Sequence, residues 1–382
     1  MTSTSGLATP AYAEVTIGDT RASLLKDGLQ TFPSMLAAIA SAEKTICFET
    51  YILRDDTTGK RFAQALQERA RAGVEVNLIY DGWGSSISED FLRHLESDGV
   101  RTLHFQPVRF FGPIGRAVAR LKRRNHRKSL CVDGKIGFTG GLNISDDYAS
   151  VEDDGQGWRD THVRIEGPPV AELERLFLQT WRNYKGAALD ERRYVRPRVP
   201  PGRVRIIGNA FRADRKDIRK AYLTAMGSAQ QNIYLTHAYF MPPAKIVRAL
   251  MLAARNKVRV AVILAASTDV RPVLWAARGL YDRLLQAGVE VYEWEGRILH
   301  AKTAVVDTKW ATVGSANLDS LSLRQNLEVN AVFEDPKFAA AVERMFEEDL
   351  AQCRRITAEW MSERPLAEQL LSWFAFQFRR WL

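Results

Sequence analysis

His126-Arg-Lys-Ser-Leu-Cys-Val-Asp133 and His300-Ala-Lys-Thr-Ala-Val-Val-Asp307 share the pattern His-x-Lys-x4-Asp and stand 174 residues apart. Gly140-Gly-Leu-Asn143 and Gly314-Ser-Ala-Asn317 follow at the same offset, so each asparagine lies 17 residues beyond its histidine. Upstream, Arg71-Ala-Gly-Val74-Glu-Val76 answers Arg255-Asn-Lys-Val258-Arg-Val260, and Gly99-Val100 answers Gly288-Val289. A chain of 382 residues repeated in this way is a duplication. The offset is 189 at those glycines and 174 at the histidines, so the first half carries 15 extra residues just before His126.

Around the motifs, each half alternates strand and helix patterns. Short β-branched and aromatic runs fall at 45–53, 74–80 and 100–105, with helical spacing over 59–72 and 88–97 between them. The second half repeats the scheme with strands over 232–239, 258–265 and 289–293 and helices over 244–255 and 272–287. This alternation predicts an α/β fold: two duplicated α/β/α sandwich halves, with mixed, mainly parallel sheets, packed around one shared active site. The expected halves are 1–188 and 205–355, joined by a proline- and arginine-rich linker over 189–204. A C-terminal amphipathic segment over 356–382 completes the chain. Its wheel sets Glu368, Gln369, Ser372, Gln377, Arg379 and Arg380 on one side and most of the Leu, Phe and Trp on the other.

Hydrophobic residues at 46% and charged residues at 26% are ordinary globular usage, which excludes disordered, collagen-like and disulfide-framework chains. Cys47, Cys131 and Cys353 fit neither a bridge framework nor a zinc site and read as structural thiols in a reducing compartment. No apolar run reaches the roughly 18 residues needed to span a bilayer, and Met1 to Val15 lacks the basic and apolar regions of a signal peptide. The expected protein is soluble or peripheral. The net charge of +9 is concentrated: Arg101 to Val132 holds nine basic residues and no acidic one. One strip thus carries the excess and points to an anionic partner.

Residues i and i+2 of a strand face the same way, so His126 with Lys128, and His300 with Lys302, project together. An imidazole beside an ammonium suits a phosphate. A neutral ring nitrogen can attack phosphorus while the lysine and an asparagine amide hold the non-bridging oxygens. One set is half a site, because a second histidine is needed to protonate the leaving alkoxide and then deprotonate the acceptor. The candidate catalytic set is therefore His126, Lys128, Asp133, Asn143, His300, Lys302, Asp307 and Asn317. Asp133 and Asp307 lie five residues past their lysines, face the other side of the strand, and read as structural rather than proton-transferring. His94, His104 and His237 lack such partners and read as structural too. No Asp/Glu cluster has divalent-ion spacing, so neither metal nor cofactor is expected.

With these residues in view, the sequence resembles the phospholipase D superfamily, whose signature is the duplicated motif with its glycine turn and asparagine. It resembles most its bacterial cardiolipin synthases that lack N-terminal membrane helices. The supporting stretches are Glu49 to Asp56, Tyr80 to Ser85, Asn125 to Lys128, Gly140 to Tyr148, Trp158 to His162 and Leu299 to Lys302. The resemblance implies a histidine nucleophile, His126 by analogy, a phosphatidyl-histidine intermediate, and the other histidine as acid and then base. It also implies an acidic residue beyond each motif that orients the histidine: Glu328 in the second half and Asp160 in the first. The chain departs from the family pattern at Leu321, where an arginine is expected; Arg324 is nearby, and the departure bears on headgroup contacts rather than on the chemistry.

The implied function is transfer of a phosphatidyl group to phosphatidylglycerol, the alternative being hydrolysis of a phospholipid or nucleic acid with water as acceptor. Phosphatidylglycerol, other phospholipids and an anionic membrane surface are the expected partners, favoured over nucleic acid because aromatics are interleaved with the basic strip. The expected membrane-binding residues are Phe110, Phe111, Arg116, Arg120, Lys122 and Arg123 in the insertion and Trp373, Phe374, Phe378 and Trp381 at the C-terminus. The expected location is peripheral, on the cytoplasmic face of the bacterial inner membrane.

Overall fold

The computed structural model describes residues 10–107, 123–194, 202–209, 217–268 and 271–377. Phe110, Phe111, Arg116, Arg120, Lys122, Phe378 and Trp381 lie outside the described residues.

The first half builds an eight-stranded sheet from β1 (Ala13–Ile17), β2 (Thr20–Lys26), β3 (Thr45–Thr50), β4 (Glu75–Asp81), β5 (Arg101–Phe105), β6 (Ser129–Val132), β7 (Ile136–Gly140) and β8 (Thr161–Glu166). Their order is β1-β2-β8-β7-β6-β3-β4-β5. The second sheet uses β9 (Val204–Asn209), β10 (Asn232–His237), β12 (Arg259–Ala265), β13 (Glu290–Trp294), β14 (Lys302–Val306), β15 (Trp310–Gly314), β17 (Glu328–Phe333) and β18 (Cys353–Ile356). Its order, β18-β13-β12-β10-β14-β15-β17-β9, matches the first strand for strand except that each sheet adds its eighth strand at the opposite edge. A short pair, β11 (Phe240–Met241) with β16 (Leu318–Asp319), stands apart.

The expected mixed sheets are present, and the balance within them differs. Parallel pairing is confined to β3-β4-β5 and β10-β12-β13, and every other pairing in the two sheets is antiparallel. The reason lies in the connections. Helices Thr57–Arg71 and Glu89–Ser97 carry the chain from β3 to β4 and from β4 to β5, as a parallel crossover requires. β6 and β7 are instead joined by a tight turn, and a hairpin can only be antiparallel.

Those turns explain the motif aspartates. Asp133 (φ 54°) and Asp307 (φ 52°) adopt the left-handed conformation that starts each hairpin. The Asp133 carboxylate accepts from the backbone N–H groups of Glu43, Lys44 and Thr45 at 2.8–2.9 Å. Asp307 does the same for Gln230, Gln231 and Asn232. Each aspartate thus ties its hairpin to the start of the neighbouring central strand, and both are structural.

Among the described residues three large apolar cores result, with a small fourth at Met241, Ala276 and Ala375. One lies under the helices Asp27–Ala40 and Thr57–Arg71 of the first half, one under Ala244–Arg255 and Arg271–Gln286 of the second. The third joins the halves, taking Val163, Phe177 and Trp181 from one and Tyr234, Phe333 and Phe346 from the other. At this seam Arg159, 1% exposed, donates to both carboxylate oxygens of Asp349 on the helix Pro336–Leu350.

The C-terminal helix, Leu366–Gln377, packs in the opposite sense from its wheel. Ser372 and Ala375 are buried, while Leu366 (77% exposed), Leu370 (67%), Trp373 (63%) and Phe374 (58%) face outward. Small residues win the contact because the helix lies against Gly279, where a Cβ would meet the Ser372 carbonyl oxygen at 2.7 Å. Phe376 packs beside them against the second-half core, while Leu366, Leu370, Trp373 and Phe374 stay outside.

Removing one member of a buried ion pair leaves an uncompensated charge, which costs about 3–5 kcal/mol. Arg159→Met is expected to lower unfolding stability by that amount in urea titrations, whereas an exposed control such as Arg93→Met, on a surface pair, is expected to cost under about 1 kcal/mol.

Candidate active site

The two motifs meet at the seam through reciprocal main-chain contacts. The His126 N–H donates to the Leu327 carbonyl at 3.0 Å, and the His300 N–H donates to the Arg159 carbonyl at 2.7 Å. Matching bridges pair Asn125 with Leu327 and Arg159 with Leu299. In each case the next residue after the accepting carbonyl is a carboxylate. Glu328 places both oxygens 3.0 Å from His126 Nδ1, and Asp160 Oδ2 lies 2.7 Å from His300 Nδ1.

The pairing is therefore crossed: each histidine is held by the acid of the other half, not its own as expected. The cause is the backbone bridge, which sets the histidine of one half beside the strand of the other and puts its own-half carboxylate out of reach. The two acids differ in their neighbours. Ser315 Oγ donates to Glu328 at 2.5 Å. Its counterpart, Gly141, could carry no side chain, because a Cβ there would fall 2.0 Å from Asp160 Oδ1. Asp160 is shorter than Glu328 and sits correspondingly closer to the turn.

The strand alternation expected for His-x-Lys does not place these side chains, because His126 and Lys128 precede β6 and His300 precedes β14. Lys128 and Lys302 are buried and return to donate to the carbonyl oxygens of His126, at 2.8 Å, and of His300. Arg127, between them in the first motif, points away and donates to the carbonyl oxygens of Leu176 and Asn209. The asparagines are buried at the same centre. Asn143 accepts from the Ile52 N–H at 3.1 Å and donates to Tyr148 Oη at 2.6 Å. Asn317 Oδ1 is buried without a hydrogen-bond partner in the described residues.

Burial dominates the proton affinities. It pushes His126 below the usual imidazole range, against the opposing charge of Glu328 and with help from Lys128. Lys128 is pushed down to about 7 by the same loss of solvent. Asp160 is pushed up to about 6, with Lys302 opposing. Burial thus favours the uncharged form of His126, whose Nδ1 is turned to the Glu328 carboxylate. His162 and His237 are pushed down to about 3 by burial and sit inside strands β8 and β10. His104 stacks on Tyr80.

Several neighbours were not read from the sequence as site residues. Tyr51 meets the His126 ring edge-on at 4.9 Å, and the Lys128 ammonium lies over the same tyrosine. Tyr148, Trp158 and Tyr239 surround His300, with the Tyr148 hydroxyl 3.3 Å from its Nδ1. Asn125 is fixed by Glu49, 2.7 Å from its Nδ2, and by Asp81, 2.9 Å from its N–H. The stretches around Glu49 and Asp81 that carry the family resemblance are the signal that pointed here. Arg123, the one insertion residue of the expected membrane-binding set within the described residues, is half-buried. Among the described residues no group of three or more His, Cys, Asp or Glu is placed to hold a metal ion.

Comparison with known proteins agrees with this arrangement at the level of fold and family. Residues 35–181 and 222–350 match the family described as cardiolipin synthase, PLD-like domain. A cardiolipin synthase of Geobacillus kaustophilus (strain HTA426) is 35% identical over 90% of this chain and 68% of its own length. Cardiolipin synthase 2 of Bacillus anthracis is 33% identical over 91% of this chain and 68% of its own. Phosphatidylserine synthase of Haemophilus influenzae Rd KW20, a solved structure, shares the fold with a TM-score of 0.73 at 14% identity, covering 94% of this chain and 95% of that one.

The crossed pairs predict distinct pH behaviour. As pH falls through about 6, Asp160 takes up a proton and His300 loses the charge on its acceptor. An acid limb in kcat/KM near pH 6 is expected in the native protein and its loss in Asp160→Asn, with kcat lower by about 10⁴, the cost of a mis-set histidine tautomer. Measured pH–rate profiles of a soluble phosphodiester check both.

Proposed function

The chain belongs to the cardiolipin synthase family of phospholipase D-like proteins, and we propose that it transfers a phosphatidyl group from one phospholipid to the glycerol hydroxyl of phosphatidylglycerol. It is an enzyme of the phosphatidyl transferase kind and acts on phospholipids. The observation that carries the reading is the pair of histidines held from opposite halves, each with Nδ1 committed to a carboxylate. Both Nε2 atoms are thereby free for chemistry at one phosphorus.

In the first step His126 Nε2 attacks the donor phosphorus, and the bond from phosphorus to the headgroup oxygen breaks. His300 gives its Nε2 proton to that leaving alkoxide. Lys128, Lys302, Asn143 and Asn317 supply donors to the non-bridging oxygens, where charge develops in the pentacoordinate state. An arriving anionic phosphate favours the ammonium form of Lys128. In the second step the glycerol hydroxyl of phosphatidylglycerol gives its proton to His300 and attacks the phosphatidyl-histidine, which releases His126. With phosphatidylglycerol as donor the products are cardiolipin and glycerol. The lowered proton affinity of His126 and the Lys128 beside it support its assignment as nucleophile.

Each histidine is required, so His126→Ala and His300→Ala are each expected to cut cardiolipin formation more than about a hundredfold, the minimum for loss of a general acid or base. Product identification by mass from phosphatidylglycerol vesicles checks this; phosphatidic acid as the main product would replace transfer with hydrolysis. Acid-quenched phospho-histidine mapping to residue 300 would reverse the two roles.

We also propose peripheral attachment to an anionic membrane through the outward face of the helix Leu366–Gln377. No helix among the described residues is long and apolar enough to cross a membrane. Contiguous exposed Leu, Trp and Phe mark an interaction surface rather than ordinary solvent exposure. Burying such side chains is worth about 1.5–3 kcal/mol each. Leu370→Glu with Trp373→Glu is expected to reduce co-sedimentation with phosphatidylglycerol vesicles at least about tenfold, and native binding is expected to weaken with salt; unchanged sedimentation would remove this helix from the attachment.

A further inference from the structure

Between the helices Ala244–Arg255 and Arg271–Gln286 lies a groove of about 760 Å³, a volume typical of small-molecule sites. Its floor is apolar, from Phe240, Met241, Val247, Met251, Leu280 and Phe376. Its rim is cationic, from Arg248, Arg255, Arg283 and Arg324. All four are exposed, and Arg248, Arg255 and Arg283 form no ion pair with a described carboxylate. A deep apolar floor under uncompensated cations complements a ligand that is apolar along its length and anionic at one end.

Position narrows the choice. The inner end begins at Phe240, next to Tyr239, whose ring faces His300 with centroids 6.4 Å apart. The loop that leaves Asn317 supplies Ser320, Arg324 and Gln325 to the same wall. At the outer end stand Leu252, 58% exposed, and the C-terminal helix through Phe376. The groove thus lies between the C-terminal helix of the proposed membrane face and two segments, Phe240 beside Tyr239 and the loop after Asn317, that adjoin the second-half histidine.

We propose that this groove is the acceptor-lipid site. An acyl chain of phosphatidylglycerol lies on the floor, its non-reacting phosphate meets the arginine rim, and its glycerol end reaches past Tyr239 to His300. The acceptor, unlike the donor, keeps its phosphodiester intact through the reaction and so needs a cationic seat away from the nucleophile. Arg324 provides part of that seat within the loop where Leu321 interrupts the family pattern. The proposal rests on the phosphatidyl-transfer reading and assigns its second substrate.

Phosphatidylglycerol carrying a diazirine at one acyl terminus, mixed into phosphatidylcholine vesicles, is the probe. Irradiation of the native protein is expected to label peptides covering 240–255 and 271–283; label confined to 366–377 would overturn the proposal. Separately, Arg248→Glu with Arg283→Glu, and Met251→Trp, which fills the groove from its half-buried side, are expected to raise KM for phosphatidylglycerol at least about tenfold with kcat within about twofold. A fall in kcat at unchanged KM would also overturn it. Label in the groove with no cardiolipin formed would instead sink the transfer reading and leave a phospholipid site; cardiolipin formed with no label there would sink the groove and leave the transfer reading intact.

Discussion

Two main-chain hydrogen bonds hold this molecule to its chemistry: His126 N–H to the Leu327 carbonyl and His300 N–H to the Arg159 carbonyl. Each fixes a histidine backbone to the other half one residue before a carboxylate. The imidazole and the carboxylate are then brought into register by covalent geometry, without any further device. Because the bonds are reciprocal, neither half can orient its own histidine alone. The shared apolar core and the buried Arg159–Asp349 pair serve to keep these two bonds closed. Arg159 does both jobs, since its carbonyl receives His300 while its guanidinium reaches Asp349.

Much of this was legible in the residues. The duplicated spacing marked out the two sheets and their equivalence, whereas Asp133 and Asp307, read as facing the far side of a strand, sit in the hairpin turns just beyond it. The crossed acids were not legible. Sequence distance ranks Glu328 with His300 and Asp160 with His126, and only the bridge between strands of different halves reverses that order. The tyrosines were hidden for a related reason: Tyr51 serves His126 while Tyr148, Trp158 and Tyr239 serve His300, so the aromatic shell does not repeat with the motifs. Parallel pairing was overestimated because the alternation of strands and helices describes only the three strands on one side of each motif. The C-terminal wheel separated polar from apolar correctly, but which side packs inward was decided by Gly279, a residue far away in sequence.

The symmetry of the site is broken at its second layer. One acid is a glutamate steadied by Ser315; the other is an aspartate pressed so close to the turn that only glycine fits at position 141. The consequence is a difference in proton affinity. Burial raises Asp160 to about 6, within reach of neutral pH, and pushes His126 below the usual imidazole range. A reaction in two steps benefits from unlike histidines, one that stays unprotonated to attack and one whose hydrogen-bonded pair can hold and return a proton. Two identical halves would supply two equal candidates for each role, and a proton on the wrong ring would idle the site.

The same asymmetry extends outward. The second half carries a groove lined from Phe240 to Phe376 of the exposed helix Leu366–Gln377. In a transfer reaction the two substrates must occupy the centre without displacing each other, and the attacking hydroxyl must reach the intermediate before water does. The acceptor seat proposed on the His300 side would place its hydroxyl beside the ring proposed to handle the proton, and lipid there would take up volume otherwise open to water. Selection of an alcohol over water is then a matter of filling volume with lipid. On this view the duplicated motifs provide the phosphoryl chemistry, and the unduplicated parts, the groove and the C-terminal helix, decide what that chemistry makes.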